Sequence, residues 1–166
     1  MEQLPSMWRD ELLHPKVVHF PIALLIFGTA LLIAALIFRK NEKLSFLMPA
    51  SRLAIFIGAI GAWTAVLTGN IADSFVAREL CDPIVAKDHE RFAYLVAYLF
   101  SGGILIDFFS RFFKFASLKK FVPVIILLLY LGGTGVLLYV GHLGGKLVFQ
   151  QGAAVYQPSE DCSEFE

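Results

Sequence analysis

Four apolar stretches, separated by short charged segments, leave this chain few ways to fold. They cover about 17–38, 53–72, 92–112 and 121–141. A helix needs about 20 apolar residues to cross a hydrocarbon core about 30 Å thick, and each stretch supplies that length. With 57% hydrophobic and only 17% charged residues, the chain is too apolar for an ordinary water-soluble domain. The expected fold is all-α: a transmembrane four-helix up-down bundle that forms one membrane domain over residues 1–166.

Zero net charge conceals an asymmetry between alternate connections. The links after the first and third spans hold Arg39, Lys40, Lys43, Arg52, Arg111, Lys114, Lys119 and Lys120 against only Glu42 and Asp107. The N-terminal tail, the 73–91 loop and the 143–166 tail together hold six cations and twelve acids. By the positive-inside rule the basic links are cytoplasmic, so loop, tail and both termini are expected on the periplasmic side of a bacterial inner membrane, a multi-pass protein in a lipid bilayer. The polar, acidic segment before the first span has no signal-peptide pattern, and that helix is expected to direct insertion itself. Cys81 in the loop and Cys162 in the tail fall on the oxidising face and are candidates for a disulfide, or for two unrelated thiols.

Along the chain, Leu4, Met7, Trp8, Leu12 and Leu13 suggest an N-terminal tail lying at the interface. Pro15 suits a first helical turn and places His14 at or just before the cap. Pro21 removes a ladder bond and is expected to bend or loosen the turns that carry His19. Gly58, Gly61 and Gly69 in the second span, and Gly132, Gly133, Gly135 and Gly141 in and after the fourth, permit close helix packing or space for a flat cofactor. Asp88 reads as the N-cap of the third helix, and 147–152 as a segment folded along the outer surface.

The four histidines carry the main functional signal. His14 and His19 open span one, His89 precedes span three and His142 closes span four, so the topology gathers all four at one end. Imidazoles at membrane depth are costly and tend to mark ligand sites, although four independent interfacial histidines satisfy the same pattern. Converging imidazoles suit haem b, which needs one or two axial nitrogens on separate helices. Arg91, Lys87 and Lys146 then become partners for propionates. A copper or zinc site built from three or four histidines is the alternative. His14 and His19 lie about 140° apart around a helix, so they should not share one ion, and the deeper His19 is expected as first ligand with His89 or His142 opposite. With no histidine near the other helix ends, any redox centre belongs near the outer face.

Nothing resembles a Ser/His/Asp arrangement, a phosphate-binding glycine loop, an H-E-x-x-H motif or paired catalytic carboxylates. The short basic links leave no nucleic-acid footprint. An electron-transfer or binding protein is therefore expected before a hydrolase or transferase.

The opening His14-Pro15-x-x-Val18-His19-Phe20-Pro21-Ile22-Ala23-Leu24, the histidine before span three, and Gly141-His142-Leu143-Gly144-Gly145-Lys146-Leu147-Val148-Phe149-x-x-Gly152 resemble the bacterial membrane-protein family called domain of unknown function 2231. The resemblance implies a four-helix inner-membrane protein without an established activity. Its members are sometimes linked with c-type cytochromes, which supports a redox partner of that kind, or a quinol. After Phe149 the family often carries a histidine where this chain has Gln150 and Gln151, and any ligand role there is lost. The resulting expectation is a b-type-cytochrome-like protein, with a histidine copper or zinc protein or a cofactor-free accessory subunit as alternatives.

Overall fold

The computed structural model describes residues 5–112 and 120–156. These residues form four long helices, α1 (Leu13–Ile37), α2 (Leu47–Val76), α3 (Pro83–Ser110) and α4 (Val122–Gln151), with single 3-10 turns at Asp10–Leu12 and Glu42–Leu44. No strand occurs among the described residues. All four helices are long and apolar enough to cross a membrane. At 25, 30, 28 and 30 residues they are longer than the bilayer core requires. Phe20, Phe27, Ile60, Leu67, Leu128 and Leu138 face outward, as a lipid-exposed surface demands.

The helices outrun the apolar stretches. Residues 73–91, read from the sequence as a connecting loop, are helical apart from 77–82. The N-cap of α3 is accordingly Asp82 and not Asp88: its side chain accepts from Ile84 N at 3.0 Å, and Pro83 takes the first turn, where a missing N–H is harmless. Residues 147–152 do not fold along a surface. They continue α4 to Gln151, and Gly152 ends it in the left-handed region (φ 68°) while its N–H meets Val148 O at 3.2 Å. Gln151 closes the same end by exchanging two hydrogen bonds with the Asp82 backbone, at 2.9 and 3.2 Å.

Buried positions follow a heptad phase. In α1, Pro21, Leu25, Gly28, Leu32 and Ala35 recur at alternating steps of four and three, the seam of near-parallel helix packing. The helix continues through Pro21, whose ring is buried against α2. A Cβ at Gly61 would lie 3.1 Å from Pro21 Cβ, so the glycine makes room for it.

The bundle is two hairpins, α1–α2 and α3–α4, each packed more extensively within itself than against the other. They repeat one another. A Cβ at Gly28 would lie 2.6 Å from Ile55 Cγ1, and one at Gly103 would lie 2.3 Å from Tyr130 Cε1. Gly58 faces Leu25 just as Gly133 faces Phe100, each at 2.8 Å from a virtual Cβ. Every corresponding pair is 75 residues apart in sequence.

Different polar contacts join the hairpins on their two sides. Between α2 and α3, Trp63 Nε1 donates to Ser101 Oγ at 3.0 Å and Asn70 Nδ2 to Tyr94 Oη at 3.0 Å. Between α1 and α4, Thr134 and Thr29 meet at 3.3 Å. Within the first hairpin, buried Ser51 donates to Gly28 O at 2.7 Å. Interhelical hydrogen bonds of this kind in membrane bundles average about 0.6 and reach about 1.7 kcal/mol. Ser51→Ala is expected to lower stability within that range, read as a shift in the unfolding midpoint in mixed micelles.

Candidate functional site

Each hairpin brings one imidazole to the same end of the bundle, the end where α1 begins and α4 finishes. His14 lies in the first turn of α1, seven residues before Pro21 and therefore about 20° from the buried face. His89 stands in the same relation to buried Val96 of α3. Both rings thus point inward, and their centroids lie 5.9 Å apart with the planes at 89°.

The two rings are held alike. His14 Nδ1 lies 2.9 Å from Ala65 O on α2, and His89 Nδ1 lies 3.1 Å from Val140 O on α4. A carbonyl oxygen only accepts, so each Nδ1 carries the proton and donates it. Thr68 Oγ1 stands 3.4 Å from His14 Nδ1 as a weaker second acceptor. In a neutral imidazole with Nδ1 protonated, Nε2 keeps its lone pair, and such a backbone contact is the usual way a ligating histidine is held in that tautomer. Neither Nε2 is hydrogen-bonded to a described residue.

Glycine floors both rings. A Cβ at Gly69 would come within 3.2 Å of His14 Cε1, and one at Gly144 within 3.2 Å of His89 Cε1. In each hairpin the glycine sits one helical turn beyond the carbonyl that accepts from the histidine. His14 and His89, Ala65 and Val140, and Gly69 and Gly144 all obey the 75-residue offset. Equivalent residues of the two hairpins thus face one another across the bundle.

The other histidines stay outside. His19 precedes buried Pro21 by two residues, about 200° around the helix, and is exposed. His142 follows buried Val140 by two residues and is exposed for the same reason, its ring stacked on Tyr139 at 6.5 Å. His19, expected from the sequence as first ligand, thus faces outward, and the inward face carries His14. Pro21, expected to bend or loosen the turns that carry His19, sits within one continuous helix with its own ring on the inward side.

Of the remaining candidates, only Gly69 touches the pair. Gly141 has open space where a Cβ would be, and Arg91 is exposed with no ion pair to a described residue. Cys81 is exposed, while Cys162 and hence the disulfide lie outside the described residues. Among the described residues no three His, Cys, Asp or Glu side chains gather as a metal-holding group, so the three- or four-histidine site is not assembled there. Sequence reasoning passed over Gly144 and the carbonyls of Ala65 and Val140. The 75-residue repeat was the signal that pointed to them.

A family model described as a predicted membrane protein, DUF2231, matches residues 11–157. No curated protein and no solved structure matches the chain.

Proposed function

The chain belongs to the DUF2231 family of predicted membrane proteins, and we propose that it is a b-type haem protein of the bacterial inner membrane in which His14 and His89 supply the axial nitrogens. The observation that carries this reading is the facing pair of imidazoles, one from each hairpin, with Nδ1–H engaged and Nε2 free. Histidine nitrogens bind metals at roughly 2 Å, and the two Nε2 lone pairs would be the groups that hold the iron. Gly69 and Gly144 fit the same purpose, since a side chain at either would press on the ring it supports.

In this reading the protein's own groups hold and orient. Ala65 O and Val140 O fix the tautomer and ring rotation, and raise the basicity of each Nε2. Haem supplies one-electron chemistry when bound. The charge asymmetry supports a periplasmic position for the pair, and on that side a c-type cytochrome or a quinol would be the exchange partner. Two donors suit axial ligation better than zinc, which takes four ligands at structural sites and three at catalytic ones.

Purification in mild detergent from haem-replete cells tests the reading. The expected result is a Soret band with α and β bands on reduction and one haem per chain by pyridine haemochrome. A colourless protein overturns it, and copper or zinc found by elemental analysis of the same sample would replace haem with the metal.

A further inference from the structure

At the opposite end of the bundle, all four helices line a cavity of about 680 Å³. Its walls are mostly apolar, formed by residues such as Leu32, Phe56, Leu105 and Ile126. Its polar groups are few and grouped. Arg52 donates to Asp107 Oδ1 at 2.9 Å and Arg111 to Asp107 Oδ2 at 3.3 Å, so one carboxylate is shared by two guanidiniums. Both arginine side chains remain about half exposed, at 49% and 59%, with donors left over.

Deeper in the cavity stands Tyr130. The residue is only 4% exposed, its ring is stacked on Phe100 at 5.2 Å, and its hydroxyl is hydrogen-bonded to no described residue. A hydroxyl sealed in apolar surroundings without a partner would be costly. No described side-chain atom is sealed off in that way, so this one is reached from the cavity that the ring lines.

We infer that this cavity binds one anionic phospholipid, with its phosphodiester on Arg52 and Arg111 and an ester carbonyl accepting from Tyr130. The charges select the headgroup: two guanidiniums less one carboxylate leave one positive charge, which a phosphodiester neutralises. Basic pockets between membrane helices are a recurrent way of holding such headgroups. The apolar walls select a ligand with acyl chains over a free anion. A quinone offers a carbonyl to Tyr130 but leaves the surplus charge unmatched.

Native mass spectrometry of the full chain, delipidated and titrated with dioleoyl phosphatidylglycerol or dioleoyl phosphatidylcholine, tests this. One phosphatidylglycerol should be retained several-fold more tightly than phosphatidylcholine. Arg111→Gln, at an exposed helix end, should weaken it about fivefold, since one basic residue contributes about 1 kcal/mol. Tyr130→Phe keeps the ring packing and should weaken it about threefold, the loss of one neutral hydrogen bond. Circular dichroism confirms that both variants are folded, and inorganic phosphate should not displace the lipid. Equal retention of the two lipids, wild-type affinity in both variants, displacement by phosphate, or preferential displacement by a short-tailed ubiquinone would each overturn the assignment.

Discussion

If the inward pair holds haem as proposed, His14→Ala and His89→Ala should each abolish the Soret band, whereas His19→Ala and His142→Ala should leave it at the wild-type level. The contrast follows from helix phase. His14 and His89 keep the seven-residue step to buried Pro21 and Val96, and their rings meet at 5.9 Å. His19 and His142 each stand two residues from a buried position and face outward. In the proposed site, removing one inward ring would take away one of the two nitrogens that hold the iron and leave only the other hairpin's imidazole. The two inward substitutions should be about equal in effect, because each ring is held by the same carbonyl-and-glycine arrangement. Circular dichroism at the wild-type level shows that loss of colour is not loss of fold. Retention of the band in both inward variants, or its loss only in His19→Ala, would remove the pair from the site.

Much of the architecture was legible in the residues. The apolar runs specified four helices because lipid leaves a backbone no other partner than its own helix, and the histidines were gathered at one end by counting spans. Which two histidines converge was also written in the chain, in a quieter signal. Depth along the helix favoured His19, but depth says nothing of direction. The heptad step from His14 through Pro21 to Gly28, and from His89 through Val96 to Gly103, gives direction.

The repeat was harder to see. Across 14–37 and 47–76 only six residues recur 75 positions later: His14, Leu24, Gly28, Leu53, Gly58 and Gly69. Lipid-facing positions accept any apolar side chain, so they keep little trace of the repeat beyond Leu53 and Leu128. The identical glycines are those where helices touch or a ring is floored. Helix ends were misjudged for a related reason: charged residues such as Lys87-Asp88-His89-Glu90-Arg91 end an apolar span without ending a helix, and α3 runs back through them to the Asp82 cap.

The glycines give the second large expected effect, in stability. A Cβ at Gly103 would sit 2.3 Å from Tyr130 Cε1 and 2.8 Å from its Cζ. The ring is rigid and one of its faces is blocked. It is stacked on Phe100 at 5.2 Å with the planes 13° apart, and Phe100 is itself held against Gly133, where a Cβ would lie 2.8 Å from its Cε2. Gly103→Ala should therefore cost about 1–3 kcal/mol through overpacking, because the atom it meets belongs to a rigid ring and not to the end of a flexible side chain. Gly102, one position away, has no atom within 4 Å of its virtual Cβ, and Gly102→Ala should be neutral or gain a few tenths of a kcal/mol from helix propensity. In the first hairpin a Cβ at Gly58 would meet Leu25 Cδ2 at 2.8 Å and Cγ at 3.0 Å, an aliphatic side chain that adjusts more easily than a ring, so Gly58→Ala should cost less than Gly133→Ala. Because Gly103, Tyr130, Phe100 and Gly133 form one interlocked stack, Gly103→Ala and Gly133→Ala should combine non-additively. Unfolding midpoints in mixed micelles measure all five variants. Equal midpoints for Gly103→Ala and Gly102→Ala would mean that the α3–α4 contact is looser than this packing requires.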